Sequence, residues 1–212
     1  MVNNYDQIAK AYDILSRMLF FKSQVNAQIQ QLHLIPAHSK VLIAGGGTGW
    51  ILEQIAKSHP EKLYITYLEI SGEMINLAKK RKTGKHQVEF IQTAVEDFNT
   101  SDCYDVIHTA FLFDNFGKEK AEIAFNKLHA LLKDGGLWLF TDFSYQPKQD
   151  AFWKGLLLKL MYAFFSKIAS VDAQQLIDTA PYFKNAQYQC ISKKTYYSKF
   201  IKALVYQKSN NR

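Results

Sequence analysis

Cysteine is scarce: Cys103 and Cys190 are the only two in 212 residues. They are too few for a disulfide framework and stand at no metal-ligand spacing. The simple expectation is a reducing compartment and a site without metal. Long apolar runs are missing as well. The most apolar helical stretch, residues 156–165, is interrupted by Lys159, whereas a membrane span takes about 20 mostly apolar residues. The opening Met1-Val2-Asn3-Asn4-Tyr5-Asp6 shows no basic segment ahead of an apolar core, so no targeting signal is read there. These absences predict a cytoplasmic chain with no transmembrane span. Repeats and low-complexity tracts are also lacking. Apolar residues make up 48% and charged residues 21%, ordinary globular values that exclude a disordered or collagen-like chain. The length suits a single domain over 1–212, enough to bury a core without staples.

Acidic residues are absent from the last stretch. From Lys184 onward stand Lys193, Lys194, Lys199, Lys202, Lys208 and Arg212 without one Asp or Glu. This stretch carries the whole formal charge of +7. Such a patch suits nucleic acid, an acidic membrane surface or an anionic substrate. The lysines also alternate with aromatics, as on the solvated face of an edge strand, where lysine blocks unwanted pairing. A second basic run, Lys79-Lys80-Arg81-Lys82 with Lys85, ends a helical stretch. Cations are favourable there against the helix dipole.

What is present is an alternation of strands and helices. Val41-Leu42-Ile43-Ala44 is a continuous apolar run closed by glycines. Residues 63–70, 88–91, 105–108 and 136–141 read as further strands. Helical patterns at 73–82 and 118–132 separate some of them. The second pattern stops at Asp134-Gly135-Gly136, which reads as a glycine cap. This order predicts an α/β, doubly wound, mostly parallel sheet covered on both faces. Residues 187–192 and 200–207 have no long helix between them and predict an antiparallel hairpin at the end. Two segments lie outside this pattern: a helical cap over 1–35, and an apolar helical insertion over 149–180. Both connect near the carboxyl edge of the sheet, where open α/β sheets bind ligands, and are expected to form a helical lid.

The loop Gly45-Gly46-Gly47-Thr48-Gly49-Trp50 leads from the first strand into a helix. Glycines there permit a tight turn and close approach of backbone to a ligand, and the helix offers free N–H groups. A dinucleotide fingerprint starting at Gly45 would need a small residue where Trp50 stands, and one starting at Gly47 would need it at Leu52. A phosphate-binding Walker loop needs a lysine that does not follow. Glu69 lies 20 residues past Gly49, at the end of the second strand, where a carboxylate accepts both hydroxyls of a ribose.

On these residues the chain resembles the class I S-adenosylmethionine-dependent methyltransferases over roughly residues 38–145. The glycine loop matches the family's G-x-G-x-G. Glu69-Ile70-Ser71-Gly72-Glu73-Met74 resembles its acidic-x-Ser-x-x-Met stretch. Thr93-Ala94-Val95-Glu96-Asp97-Phe98 matches the region after the third strand, and Leu132-Lys133-Asp134-Gly135-Gly136 resembles the turn before the fifth. The stretch from Tyr5 to Arg17 is similar to the start of ubiquinone/menaquinone C-methyltransferases. The resemblance implies a Rossmann-like seven-stranded sheet with a reversed last strand, and S-adenosylmethionine as cofactor. It implies that Gly45, Gly46, Gly47, Thr48 and Gly49 bind the cofactor, with Gly45 and Gly47 lining its methionine part, and that Glu69 holds the ribose. Ile70 and Met74 then pack on the adenine, with Val95 and Glu96 at its edge. Tyr12 and Thr109 reach the methionine end. Two positions depart from the family: Ile43 replaces an acid in the first strand that helps anchor the cofactor amino group, and Ala94 replaces an Asp that accepts from the adenine amine.

Methyl transfer from a sulfonium is an in-line displacement with a neutral leaving group. Alignment does most of the work, and a base is needed only for a nucleophile that must lose a proton. His108, Asp114 and Asp142 are the candidate bases, against the bland readings of a satisfied strand histidine, a helix cap and a strand-end acid. Phe111, Phe113 and Phe116, with the apolar insertion, suit a small hydrophobic or aromatic acceptor. The insertion reads equally as core cover or a homodimer face. Phe113-Asp114-Asn115-Phe116 stands where an Asn-Pro-Pro-Tyr motif would mark adenine or glutamine methylation. The other readings are an RNA methyltransferase using the basic tail, a polyamine synthase, and a protein that binds the cofactor without catalysis.

Overall fold

The computed structural model describes residues 22–146, 150–168 (side chains to residue 163) and 175–210. In chain order its elements are α1 (Ser23–Leu32), β1 (Lys40–Ala44), α2 (Trp50–Ser58), β2 (Tyr64–Glu69), α3 (Gly72–Ala78) and β3 (Gln87–Gln92). Then come β4 (Tyr104–Ala110), a 3₁₀ turn (Phe113–Asn115), α4 (Lys118–Leu131), β5 (Leu132–Phe143), α5 (Phe152–Ile168), α6 (Ala180–Asn185), β6 (Gln189–Tyr196) and β7 (Ile201–Gln207). The strands form one seven-stranded sheet in the order β3-β2-β1-β4-β5-β7-β6. The first five strands run parallel, and β7 runs antiparallel between β5 and β6. This is the doubly wound sheet with a reversed hairpin that the alternation of elements predicts.

β1 shows why the apolar run becomes a central strand. Val41, Leu42, Ile43 and Ala44 are all buried, because helices cover both faces. Leu42 and Ala44 join the core that contains Trp138, Phe125 and Leu128, while Val41 and Ile43 join Leu32, Ile51, Leu52 and Ile55. Each large side chain taken fully out of water contributes roughly 1.5–3 kcal/mol, so both helical layers are held by the alternating residues of one strand.

α1 docks by a different device. Gln31 is buried, and its side-chain amide donates to the carbonyls of Phe140 (3.3 Å) and Leu204 (3.1 Å). Those two residues are register partners on β5 and β7, so one glutamine ties the helix across two strands. α5 packs Leu158 and Met161 with Phe143, Phe200 and Ile201. Trp153 meets the rings of Tyr197 (5.8 Å) and Phe200 (6.1 Å).

Three expectations change in detail. α4 ends at Leu131 and β5 begins at Leu132, so Asp134, Gly135 and Gly136 belong to the strand and cap no helix. Gly135 takes a φ of 75° and donates its N–H to the carbonyl of Lys208, tying the irregular start of β5 to the chain after β7. α3 stops at Ala78, so the basic run lies in the turns that follow it. The N-terminal cap is seen as α1; residues 1–21, with Tyr12, lie outside the described residues. No described helix is long and apolar enough to cross a membrane.

Candidate functional site

An open cleft of about 1210 Å³, counting its solvent-filled mouth, lies over the carboxyl ends of β2, β1 and β4. Gly45, Gly46, Gly47 and Thr48 line it from the loop after β1. Glu69, Ile70, Met74, Val95 and Glu96 line it from the β2–β3 side, and Ile43, His108, Ala110 and Phe111 from the β1–β4 side. α1 closes that second side with Gln24, Val25 and Gln28.

The loop is held by contacts that sequence spacing does not reveal. The N–H groups of Gly45 and Gly46 donate to the carbonyl of Leu68 (3.0 and 3.1 Å). The Tyr67 hydroxyl donates to the Gly47 carbonyl (2.9 Å), and its ring fills the space a side chain at 46 would need. Arg81 donates from Nε to the Thr48 carbonyl (3.0 Å). The basic run therefore contains one residue with a defined structural partner. Tyr67 and Arg81 escaped sequence reading because β-strand alternation and helix-dipole arguments account for them without a loop. Gln24, Val25 and Gln28 carried no motif at all.

Glu69 is buried. Its Oε2 accepts from the Gly47 N–H (2.8 Å) and its Oε1 from the Ser71 N–H (2.9 Å). Ser71 in turn caps α3, its hydroxyl accepting from the Met74 N–H (3.1 Å). These two bonds orient Glu69 in the cleft wall. Glu96 pairs with Lys120 at 2.8 Å, both at the cleft. Ala94 lines the cleft where the family has an acid, with Glu96 two residues on.

Gly49 and Thr109 are placed elsewhere. Gly49 does not line the cleft; it begins α2 at a φ of 77°, and a Cβ there would lie 2.6 Å from that of Ala78. Its role is close packing of α2 on α3. Thr109 faces away from the cleft, and its hydroxyl accepts from the Trp138 indole N–H (2.9 Å). Strand alternation explains this, since His108 and Ala110 occupy the cleft face.

The three candidate bases separate. Asp142 is buried and does not line the cleft; its Oδ1 accepts from the Phe143 N–H (2.7 Å). Burial pushes its carboxyl up to about 7, against Lys202 and the N–H groups of Phe143, Phe113 and Asp114, which pull it down. Burial, and then the charge of Asp142, raise the neighbouring Asp114. These carboxyls anchor the turn after β4. His108 does reach the cleft, is 3% exposed, and has no hydrogen-bond partner at either ring nitrogen among the described residues. Burial lowers its pKa to about 4, so it is a neutral imidazole at pH 7.

The insertion is also placed differently from expectation: no described residue of α5 lines the cleft. Burial of Leu158 and Met161 on Phe143, Phe200 and Ile201 turns the helix toward β5 and β7. α1 supplies the closing side chains in its stead. Among the described residues there is no cluster of three His, Cys, Asp or Glu side chains able to hold a metal.

The residues fit an adenosyl amino acid. The glycine turn brings backbone against the ligand, Glu69 offers acceptors to a diol, Ile70 and Met74 offer apolar surface to a base, and His108 is a buried polar group awaiting a partner.

Comparison with known proteins agrees with this geometry. A family model described as a methyltransferase domain matches residues 41–136. A ubiquinone/menaquinone biosynthesis C-methyltransferase from Geotalea daltonii is 29% identical over 147 residues, covering 66% of this chain and 61% of that protein. A malonyl acyl-carrier protein O-methyltransferase from Priestia megaterium is 31% identical over 141 residues, covering 66% of this chain and 49% of that protein. The matches thus span about half to three-fifths of these relatives' length. The N-methyltransferase NodS from Bradyrhizobium japonicum, crystallised with S-adenosyl-L-homocysteine, superposes with a TM-score of 0.62 at 13% identity. That match covers 88% of this chain and 87% of NodS, a likeness of fold. The glycine turn, the Glu69 carboxylate and the reversed β7 thus stand in one arrangement: residues 41–136 match a methyltransferase domain, and the fold is that of a methyltransferase crystallised with S-adenosyl-L-homocysteine.

Proposed function

We propose that this protein transfers the methyl group of S-adenosylmethionine to a small acceptor with apolar or aromatic surface. The observation that carries the reading is the make-up of the cleft. Glu69, bonded to the glycine loop, stands at one side, and Val25, Ile43, Phe111 and Leu112 give the other side apolar surface beside Gln24, Gln28 and His108. The bound cofactor supplies an electrophilic methyl group on a sulfonium that departs as a neutral thioether. The chain's own residues hold and align. The loop from Gly45 to Thr48 holds the methionine part and Glu69 the ribose, Ile70, Met74 and Val95 enclose the base, and the apolar surface excludes water from the acceptor. Neither Asp114 nor Asp142 reaches the cleft, and His108, neutral and weakly basic, orients better than it abstracts. The reading therefore favours an acceptor atom that needs no strong base. The relatives named as acting in quinone biosynthesis and on malonyl acyl-carrier protein suit such an acceptor class.

The RNA reading rests on the basic tail. Its exposed Lys193 and Lys194 lie on β6, the edge strand of the sheet, with β7 and β5 between it and the cleft strand β4. Lysines there serve to guard an unpaired edge. The test is a thermal-shift series with S-adenosylmethionine, S-adenosylhomocysteine, NAD and ATP, followed by label transfer from S-adenosylmethionine to phenolic and quinol acceptors or to RNA. A ligand at 100 times its Kd stabilises by about 2.7 kcal/mol. The expected result is stabilisation by the two adenosyl amino acids alone and label on the small apolar acceptors. Stabilisation by NAD alone would overturn the reading, and label on RNA would replace the acceptor class.

A further inference from the structure

The two sides of the cleft are unequal in charge. Both carboxylates that line it, Glu69 and Glu96, stand on the β2–β3 side. On the β1–β4 side Ile43 and His108 are register partners on adjacent parallel strands. Ile43 presents only hydrocarbon, and no described acid lines that side. His108 is the buried side chain there whose hydrogen-bonding atoms lack partners among the described residues. Its burial without a bond is costly, since an unsatisfied buried polar group loses its hydration with nothing in return. That cost is recovered when a ligand supplies the partner.

The order of strands says which end of the ligand meets it. With the ribose at Glu69 on β2 and the base over Ile70 and Val95 toward β3, the remaining part of the ligand runs the other way, over β1 to β4. In S-adenosylmethionine that part is the amino-acid end, which carries an ammonium needing an acceptor. We propose, on the methyltransferase reading above, that His108 accepts a hydrogen bond from the α-ammonium of the bound cofactor, doing from β4 what a carboxylate at position 43 would do from β1. A neutral imidazole has one acceptor nitrogen and one donor. Because burial keeps His108 uncharged, it meets the ammonium without charge repulsion. Ile43 and His108 are thus a matched pair: the apolar residue on one strand is tolerated because the next strand holds the acceptor.

The experiment measures binding by calorimetry for three ligands. S-Adenosylhomocysteine has both the ammonium and the carboxylate, decarboxylated S-adenosylmethionine keeps the amine alone, and methylthioadenosine has neither. His108→Phe keeps the ring volume and removes both nitrogens. The expected result is a loss of about tenfold or more for the first two ligands and methylthioadenosine affinity unchanged within about twofold, which also shows the variant folded. In the wild-type protein, the His108 ring nitrogen resonances should shift on adding S-adenosylhomocysteine and stay in place with methylthioadenosine, a readout that needs no variant. Equal loss for all three ligands would make His108 merely structural. Loss for S-adenosylhomocysteine but not for the decarboxylated compound would move the contact to the carboxylate. No loss at all would remove His108 from the amino-acid end; each of these overturns the proposal. Failure of the wild-type protein to bind any of the three would overturn the methyltransferase reading itself.

Discussion

The ring of Tyr67 stands in the space a side chain at position 46 would occupy: a Cβ on Gly46 would lie 2.1 Å from Tyr67 Cζ. The same tyrosine donates its hydroxyl to the carbonyl of Gly47, so one β2 side chain both requires the glycine and fastens the loop. Gly46→Ala must push the ring aside. Overpacking of this kind costs about 1–3 kcal/mol. We expect a lower melting temperature and weaker S-adenosylhomocysteine binding, with Tyr67→Ala restoring part of both in the double variant. Full stability in the single variant would show that the ring gives way freely.

Glu69→Gln preserves shape and one acceptor oxygen while removing the charge. Charge-assisted hydrogen bonds are worth roughly twice neutral ones, and hydrogen bonds to charged groups contribute about 1.5–3 kcal/mol. Cofactor affinity should fall about tenfold or more by calorimetry. Glu69→Ala should also lower stability by about 1–3 kcal/mol, because it strands the N–H groups of Gly47 and Ser71. An unchanged Kd in both variants would confine Glu69 to loop support.

Thr109→Val tests the assignment of Thr109 to the core. Its hydroxyl serves the buried Trp138 indole, so the variant should lose about 1–3 kcal/mol of stability with no change in S-adenosylhomocysteine affinity. A large change in affinity at full stability would return Thr109 to the cleft.

The Asp114–Asp142 pair makes stability fall with rising pH. The folded-state pKa of Asp142 is raised from 3.8 to about 7, so between those values the folded protein binds more protons than the unfolded chain. Stability from this source is full below pH 4 and is lost as pH climbs through 7. The buried His108, lowered from 6.5 to about 4, works the other way, losing stability as pH falls through that window. Asp142→Asn keeps an oxygen for the Phe143 N–H and removes the titration. Its melting temperature should exceed that of the wild type at pH 8 and approach it near pH 5. The same gain at both pH values would mean that the carboxyl does not titrate in this range.

Much of this molecule follows from local pattern. The run Val41-Leu42-Ile43-Ala44 can be only a strand buried on both faces, and alternating helices and strands impose a parallel sheet. The absence of a long helix between residues 187–192 and 200–207 imposes the reversed hairpin. The glycines with Glu69 at their spacing place a nucleoside at the end of β2. These are matters of period and turn chemistry, which short stretches of chain carry by themselves. Side-chain direction and long-range burial are not. Thr109 turns to Trp138 and His108 to the cleft because strand register puts adjacent residues on opposite faces. Asp142 leaves the cleft because the turn after β4 folds its N–H groups onto the carboxylate. α5 turns away because Leu158 and Met161 find Phe143 and Phe200, while Gln31 brings α1 to the cleft through carbonyls more than 100 residues distant. Tyr67 decides Gly46 across 21 positions of sequence. Contacts of this kind depend on which surfaces meet once the sheet has formed, and only the tertiary structure settles that.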